Sequence, residues 1–219
     1  MKYAAIFDMD GLLFDTERLC WKGWQVISPA FGYSISSDIF FSCVGRNRDD
    51  TKKILTQACG EDFPYEEFTG QVRAWMNAYM IQNGVPEKPG VRILFDFLKG
   101  CAIPMALATS SGEKTARWMV ERAGLLPFFD AFAFGSEVEH GKPFPDIFLL
   151  AAKRLGDIPP ASCIVFEDSP SGIRAASKAG MKPVFIKDFV KPDPAVSSII
   201  WKELQTLDQA ATSLFFSGM

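Results

Sequence analysis

The sequence predicts an α/β fold: a Rossmann-like parallel sheet core with helices on both faces, plus a small all-helical cap domain inserted after the first strand. Three observations predict it. Short apolar runs alternate with helical stretches after the first hundred residues. Several of those runs end in polar clusters, where ligands sit in parallel sheets. The stretch from about Thr16 to Gly84 holds no strand-like run at all and reads as several helices. The expected division is therefore a core of residues 1–15 and 85–219, with a helical cap over 16–84.

The elements follow in order. Tyr3 to Phe7 is a short apolar run that leads into Asp-Met-Asp-Gly, as a fully buried strand leads into a polar loop. Within the insert, Thr51 to Ala58 stops before Gly60, and Tyr65 to Gln82 stops before Gly84. Pro86, Pro89 and Gly90 mark the return to the core. Ile103 to Ala108 is the second strand and runs into Thr109-Ser110-Ser111-Gly112. Ala131 to Phe134 is the third, Cys163 to Phe166 the fourth and Pro183 to Ile186 the fifth. Glu113 to Ala123, Pro145 to Leu155 and Ser171 to Ala179 are the helices between them. Each stops at a glycine (Gly124, Gly156, Gly180), the residue that best takes the left-handed turn after a helix. Strand, helix, strand in repetition implies right-handed crossovers and one parallel sheet.

Composition narrows the function. Hydrophobic residues make up 48% of the 219 and charged residues 22%, enough for a real core. The net charge of -3 presents no basic field to nucleic acid or anionic lipid. No apolar run reaches the length of a membrane helix, and the N-terminus does not read as a secretory signal. Five cysteines lie scattered without a CxxC pair, the pattern of reduced thiols in a cytoplasmic protein. His140 is the single histidine, which excludes any site built on two. The expected partner is a small-molecule phosphate ester, with no nucleic acid and no membrane, and the chain is read as a monomer.

Four segments carry the chemistry: Asp8-Met9-Asp10-Gly11, Thr109-Ser110, Lys142-Pro143 and Glu167-Asp168. In order and spacing they resemble the four signature motifs of the haloacid dehalogenase-like hydrolases, over nearly the whole chain. FDMDGLLFDT (Phe7 to Thr16) is the most specific, and HGKPFPDIF (His140 to Phe148) and FEDSPSGI (Phe166 to Ile173) support it. The helical insert resembles the cap of the β-phosphoglucomutase-like branch. FDMDGLLFDTERL and ALATSSG look most like the sugar-phosphate and pseudouridine-phosphate phosphatases of that branch.

The resemblance implies a Mg²⁺-dependent phosphatase acting through an aspartyl-phosphate. Asp8 is then the nucleophile, and Asp10 the general acid and later the base for water. Four carboxylates in one cleft repel each other unless a cation compensates, and all-oxygen ligands suit Mg²⁺. Asp8 and Asp168 are the expected direct ligands, with the backbone carbonyl of Asp10; Glu167 acts directly or through water. Thr109 supplies a hydroxyl and Ser110 and Ser111 supply amides at a helix start, where an anion is welcome. Lys142 offsets the charge of phosphate and Asp8 together. His140 is expected only to shape the loop ahead of Lys142, and Trp21, Trp24 and Trp75 to pack inside the cap. The cap segment Val44-Gly45-Arg46-Asn47-Arg48 resembles the specificity loop of the branch, and Arg48 matches the arginine that meets the far side of the substrate. The alternative reading is a phosphomutase. The sugar mutases of the branch carry a cap histidine where this chain has Cys20, which disfavours it.

Overall fold

The computed structural model describes residues 3–46 and 48–213. Two compact units emerge, one of residues 1–14 and 87–219, the other of residues 15–86.

The first unit is built on six parallel strands in the order β3-β2-β1-β4-β5-β6. β1 is Ala4–Phe7, β2 Met105–Thr109, β3 Ala131–Phe134, β4 Cys163–Glu167, β5 Lys182–Ile186 and β6 Lys202–Leu204. After β3 the chain crosses back to place β4 on the other side of β1. That reversal creates a crevice beyond the carboxyl ends of β1 and β4, the usual ligand position in such sheets. β1 lies at the centre, pairing Ile6 with Ala106 on one side and with Val165 on the other.

Successive side chains of β1 point to opposite faces, so both faces are apolar and both are covered. Ala4 and Ile6 join a cluster with Ile147, Phe148 and Ala151 of one helix and Ala175 and Ala176 of another. On the other face Phe7 stacks on Phe166 (ring centroids 4.8 Å) and meets Phe95 at 4.9 Å. The helical unit contains α1 (Thr16–Ile27), α2 (Ser37–Cys43), α3 (Arg48–Cys59) and α4 (Tyr65–Asn83). The sheet unit adds α5 (Val91–Gly100), α6 (Glu113–Arg122), α7 (Asp146–Arg154), α8 (Pro170–Lys178), α9 (Pro194–Ser197) and α10 (Asp208–Ser213).

The α/β class and the five expected strands are present, the third with the expected bounds and the others with ends shifted by at most two residues. The second strand begins at Met105, because Pro104 has no amide to donate, and it takes in Thr109 at its end. α5 and β6 go beyond the sequence expectation. α5 buries Val91, Leu94, Phe95 and Leu98, an i, i+3, i+4, i+7 face. β6 is a three-residue edge strand with only Leu204 buried, too short to show a periodicity.

The helical unit has its own core. Trp24 packs edge-on against Phe40 (5.1 Å) and Phe68 (5.6 Å), with Ile35, Leu55, Phe63 and Val72 around it. Trp21 leans on Phe40, and Trp75 stacks on Tyr79. α1 and α4 approach closely at Gly23, where an added Cβ would sit 3.1 Å from both Trp75 and Val72. The tryptophans are thus packing groups of this unit, as the sequence implied.

Candidate active site

Asp8 is the first residue past β1, and its amide donates to the carbonyl of Phe166 in β4 (3.1 Å). This bond extends the parallel ladder by one residue. It fixes the first acidic motif in register with the fourth, Glu167-Asp168. The chain then reverses: Gly11 has a φ of +81°, and its amide donates to the carbonyl of Phe14 (2.9 Å). A side chain at Gly11 would put its Cβ 2.2 Å from Oδ2 of Asp168. Glycine therefore serves twice here, for its backbone conformation and for the space Asp168 occupies.

Lys142 enters from the loop after β3. Its ammonium donates to Oδ1 of Asp8, to Oε1 of Glu167 (2.5 Å) and to the carbonyl of Ala108 (3.4 Å). It also lies 5.0 Å from the centroid of the Phe148 ring. Glu167 is completely buried. Its second oxygen accepts from the amides of Asp168 (3.1 Å) and Ser169 (3.0 Å) and from the Ser169 hydroxyl (2.9 Å). Space for this carboxylate exists only because residue 172 is glycine: a Cβ there would fall 1.8 Å from Oε1 of Glu167.

Thr109 closes β2 and is 1% exposed. Its hydroxyl oxygen accepts from the amide of Ser111 (3.0 Å), and the Ser111 hydroxyl donates to Oδ2 of Asp10 (2.7 Å). The following helix starts only at Glu113, so the Ser111 amide is used within its own loop instead of at the helix end. Ser110 lies against Gly135 of the loop after β3, where a Cβ would sit 2.8 Å from the Ser110 carbonyl. The structure thus gathers Asp8, Asp10, Lys142, Glu167 and Asp168 at one end of the sheet, with Thr109 and Ser110 alongside. Ser111, Ser169, Gly135 and Gly172 belong to the same constellation.

The electrostatics follow from burial. Desolvation pushes the Asp8 carboxyl up to about 7; Lys142 opposes the rise, and Glu167 and Asp10 add to it. Burial disfavours the Lys142 ammonium, yet Asp8 and Glu167 outweigh it and hold the group protonated. One lysine thus faces more negative charge than it can neutralise. Asp8, Glu167 and Asp168 each present an oxygen, all within 4.8 Å of one another. An all-oxygen set of this kind, left with excess negative charge, fits a small hard dication such as Mg²⁺. Both oxygens of Glu167 are engaged, one by Lys142 and the other by the amides of Asp168 and Ser169 and the Ser169 hydroxyl.

His140 is half-exposed, with its ring near Asp146 (3.5 Å) and Phe144, and so belongs to the loop leading into Lys142. In the helical unit, Arg48 opens α3 with its guanidinium exposed and bonded to Glu66. Asn47, in the same expected specificity loop, lies outside the described residues. Cys20 is half-buried in α1, and burial pushes its thiol up to about 12. It packs against the core of this unit and stays a neutral thiol near neutral pH.

Comparison with known proteins converges on one family. The family model described as "Haloacid dehalogenase-like hydrolase" matches residues 5–186. The chain is 35% identical over 182 residues to a phosphorylated carbohydrates phosphatase of Thermotoga maritima, covering 83% of each chain. It is 37% identical over 202 residues to a protein named probable pseudouridine-5'-phosphatase of Drosophila melanogaster, covering 88% of this chain and 83% of that one. Among solved structures, a HAD family hydrolase from Deinococcus radiodurans R1 with bound phosphate and sodium superposes with a TM-score of 0.82. It is 26% identical, over 99% of this chain and 96% of that one.

Proposed function

The chain belongs to the haloacid dehalogenase-like hydrolases, and on that premise we propose that it is a Mg²⁺-dependent phosphatase. Its substrate is a small phosphorylated metabolite, a sugar phosphate or nucleotide-like monophosphate, and the reaction passes through an aspartyl-phosphate on Asp8. The observation that carries this reading is the buried meeting of Asp8 with Lys142 and Glu167 beside Asp168. Relatives at 35% and 37% identity, whose names specify phosphorylated carbohydrates and pseudouridine-5'-phosphate, support the substrate class.

Asp8 and Asp168, with the backbone carbonyl of Asp10, would hold Mg²⁺, and Glu167 would complete the negative shell while holding Lys142. Bound there, the ion supplies positive charge that offsets the repulsion between carboxylates and phosphate. Lys142 orients Asp8 and, together with the ion's charge, favours its carboxylate, so that an oxygen of Asp8 attacks phosphorus and the ester P–O bond breaks. Thr109 and Ser110 bind the phosphoryl oxygens. Asp10 gives a proton to the departing alkoxide. It then takes one from the water that attacks the aspartyl-phosphate, and release of phosphate restores the Asp8 carboxylate. Arg48, an exposed planar donor fork in the helical unit, is assigned to the distal part of the substrate.

A phosphomutase needs a device that keeps water from the phospho-enzyme. Where the sugar mutases of the branch carry a cap histidine, this chain has Cys20, a packed neutral thiol, and this favours the hydrolase reading. The test is phosphate release from a panel of sugar phosphates and nucleoside monophosphates with Mg²⁺, with a hexose 1-phosphate followed by phosphorus NMR. Release of inorganic phosphate is expected. Build-up of the 6-phosphate isomer with little free phosphate would overturn the hydrolase reading.

A further inference from the structure

The geometry points to Ser111 as the positioning residue for Asp10, an inference that rests on the phosphatase reading above. Asp10 sits in the loop after β1 and Ser111 in the loop after the neighbouring strand β2, 101 residues apart in sequence. The two side chains meet through one bond, from the Ser111 hydroxyl to Oδ2 of Asp10 at 2.7 Å. Ser111 is itself anchored, because its amide donates to the hydroxyl oxygen of Thr109 (3.0 Å), and Thr109 is buried at the end of β2. A relay therefore runs from the rigid sheet to the carboxylate: Thr109, the Ser111 backbone, the Ser111 hydroxyl, Asp10.

Such a hold matters for a general acid more than for most side chains. A proton passes only across a short, aligned contact, so a bond that restrains a half-exposed carboxylate bears directly on its transfer. The bond takes one oxygen of Asp10 and so fixes the plane of the group. It is made in a loop and not in the core, so removing it should leave the fold intact. A hydroxyl on a slightly larger side chain, threonine, supplies the same donor.

The test separates positioning from general damage by the leaving group. An alkyl phosphate needs a proton delivered to its departing oxygen, whereas p-nitrophenyl phosphate releases a stable phenolate without one. Single-turnover release of the alcohol or phenol reads this first step. Ser111→Ala should slow it about 10- to 100-fold on the best alkyl substrate of the wild type, the range a hydrogen bond to a charged group is worth. The loss on p-nitrophenyl phosphate should be far smaller, and Ser111→Thr should restore the alkyl rate. Equal losses on both esters, or no loss on either, would overturn the inference. Crystal structures of the wild type and Ser111→Ala give an answer independent of turnover. The Asp10 carboxylate should shift when the hydroxyl is removed, and an unmoved Asp10 would count against the inference. If the wild type cleaves no ester at all, the phosphatase reading falls, and the crystal comparison still decides whether Ser111 holds Asp10.

Discussion

Replacing Gly172 by alanine should destabilise the sheet unit, although simple helix propensity predicts the reverse. Gly172 is the third residue of α8, a position where alanine is normally better than glycine by about 1 kcal/mol. The added methyl, however, would lie 1.8 Å from Oε1, 1.9 Å from Cδ and 2.5 Å from Oε2 of Glu167. Glu167 is fully buried and cannot swing into solvent, so either the carboxylate or the helix must move. Overpacking of this kind costs about 1–3 kcal/mol. Moving the carboxylate also weakens its bonds to Lys142, Asp168 and Ser169, each worth ~1.5–3 kcal/mol to a charged group. Taking about 2 kcal/mol for the clash and about 2 for one such bond, less about 1 for propensity, leaves a net loss of ~3 kcal/mol. The unfolding midpoint should then fall by about 6–12 °C. The turnover number should fall at least ~10-fold, because Lys142 loses a partner. Gly70 in α4 is the control: it is exposed and nothing lies within 4 Å of its Cβ position. Gly70→Ala should raise its unit's midpoint by about 4–8 °C, since residues 15–86 form a small unit. Scanning calorimetry of both variants, with turnover measured alongside, checks the argument. A Gly172→Ala protein as stable and active as the wild type would refute it.

Three further outcomes are expected. A chelator should abolish phosphate release and added Mg²⁺ should restore it; full turnover in metal-free buffer would remove the metal from the mechanism. Arg48→Ala should lower kcat/KM for the best metabolite by ~10-fold or more while sparing acetyl phosphate, which has no distal part, and an equal loss on both would take Arg48 out of specificity. Cys20, with its thiol raised from 9.0 to about 12, contributes stability that is intact below pH ~9 and lost as pH rises toward ~12. Between those values the wild type should lose stability faster than Cys20→Ala in urea titrations, and parallel curves would contradict the burial argument.

The parallel sheet was legible because its strands are short, wholly apolar runs ending in polar clusters. The glycines after Ala123, Leu155 and Ala179 also stopped helices where left-handed turns occur. The chemistry-bearing residues were legible for a related reason: Asp8, Thr109 and Glu167 stand at strand ends, so topology alone brings them together. What escaped were particular side-chain contacts across the chain. Nothing near Ser111 announces that its hydroxyl meets Asp10, and nothing near Gly172 announces that Glu167 fills the space above it. Local periodicity carries no information about such pairs. β6 escaped because Lys202 and Glu203 are exposed and one buried leucine makes no pattern. α5 was readable, since Val91, Leu94, Phe95 and Leu98 keep helical spacing, but the prolines before it read first as a linker.

The claim on which the account depends most is that Asp8 attacks phosphorus. Rapid acid quench of the enzyme with its best substrate and Mg²⁺, followed by peptide mass spectrometry, tests it directly, with Asp8→Asn in parallel. A phosphoryl group is expected on Asp8 in the wild type and none in Asp8→Asn, with the variant's turnover number lowered by ~10⁴-fold or more. Near-normal turnover by Asp8→Asn, or a phosphoryl group trapped on another residue, would contradict it.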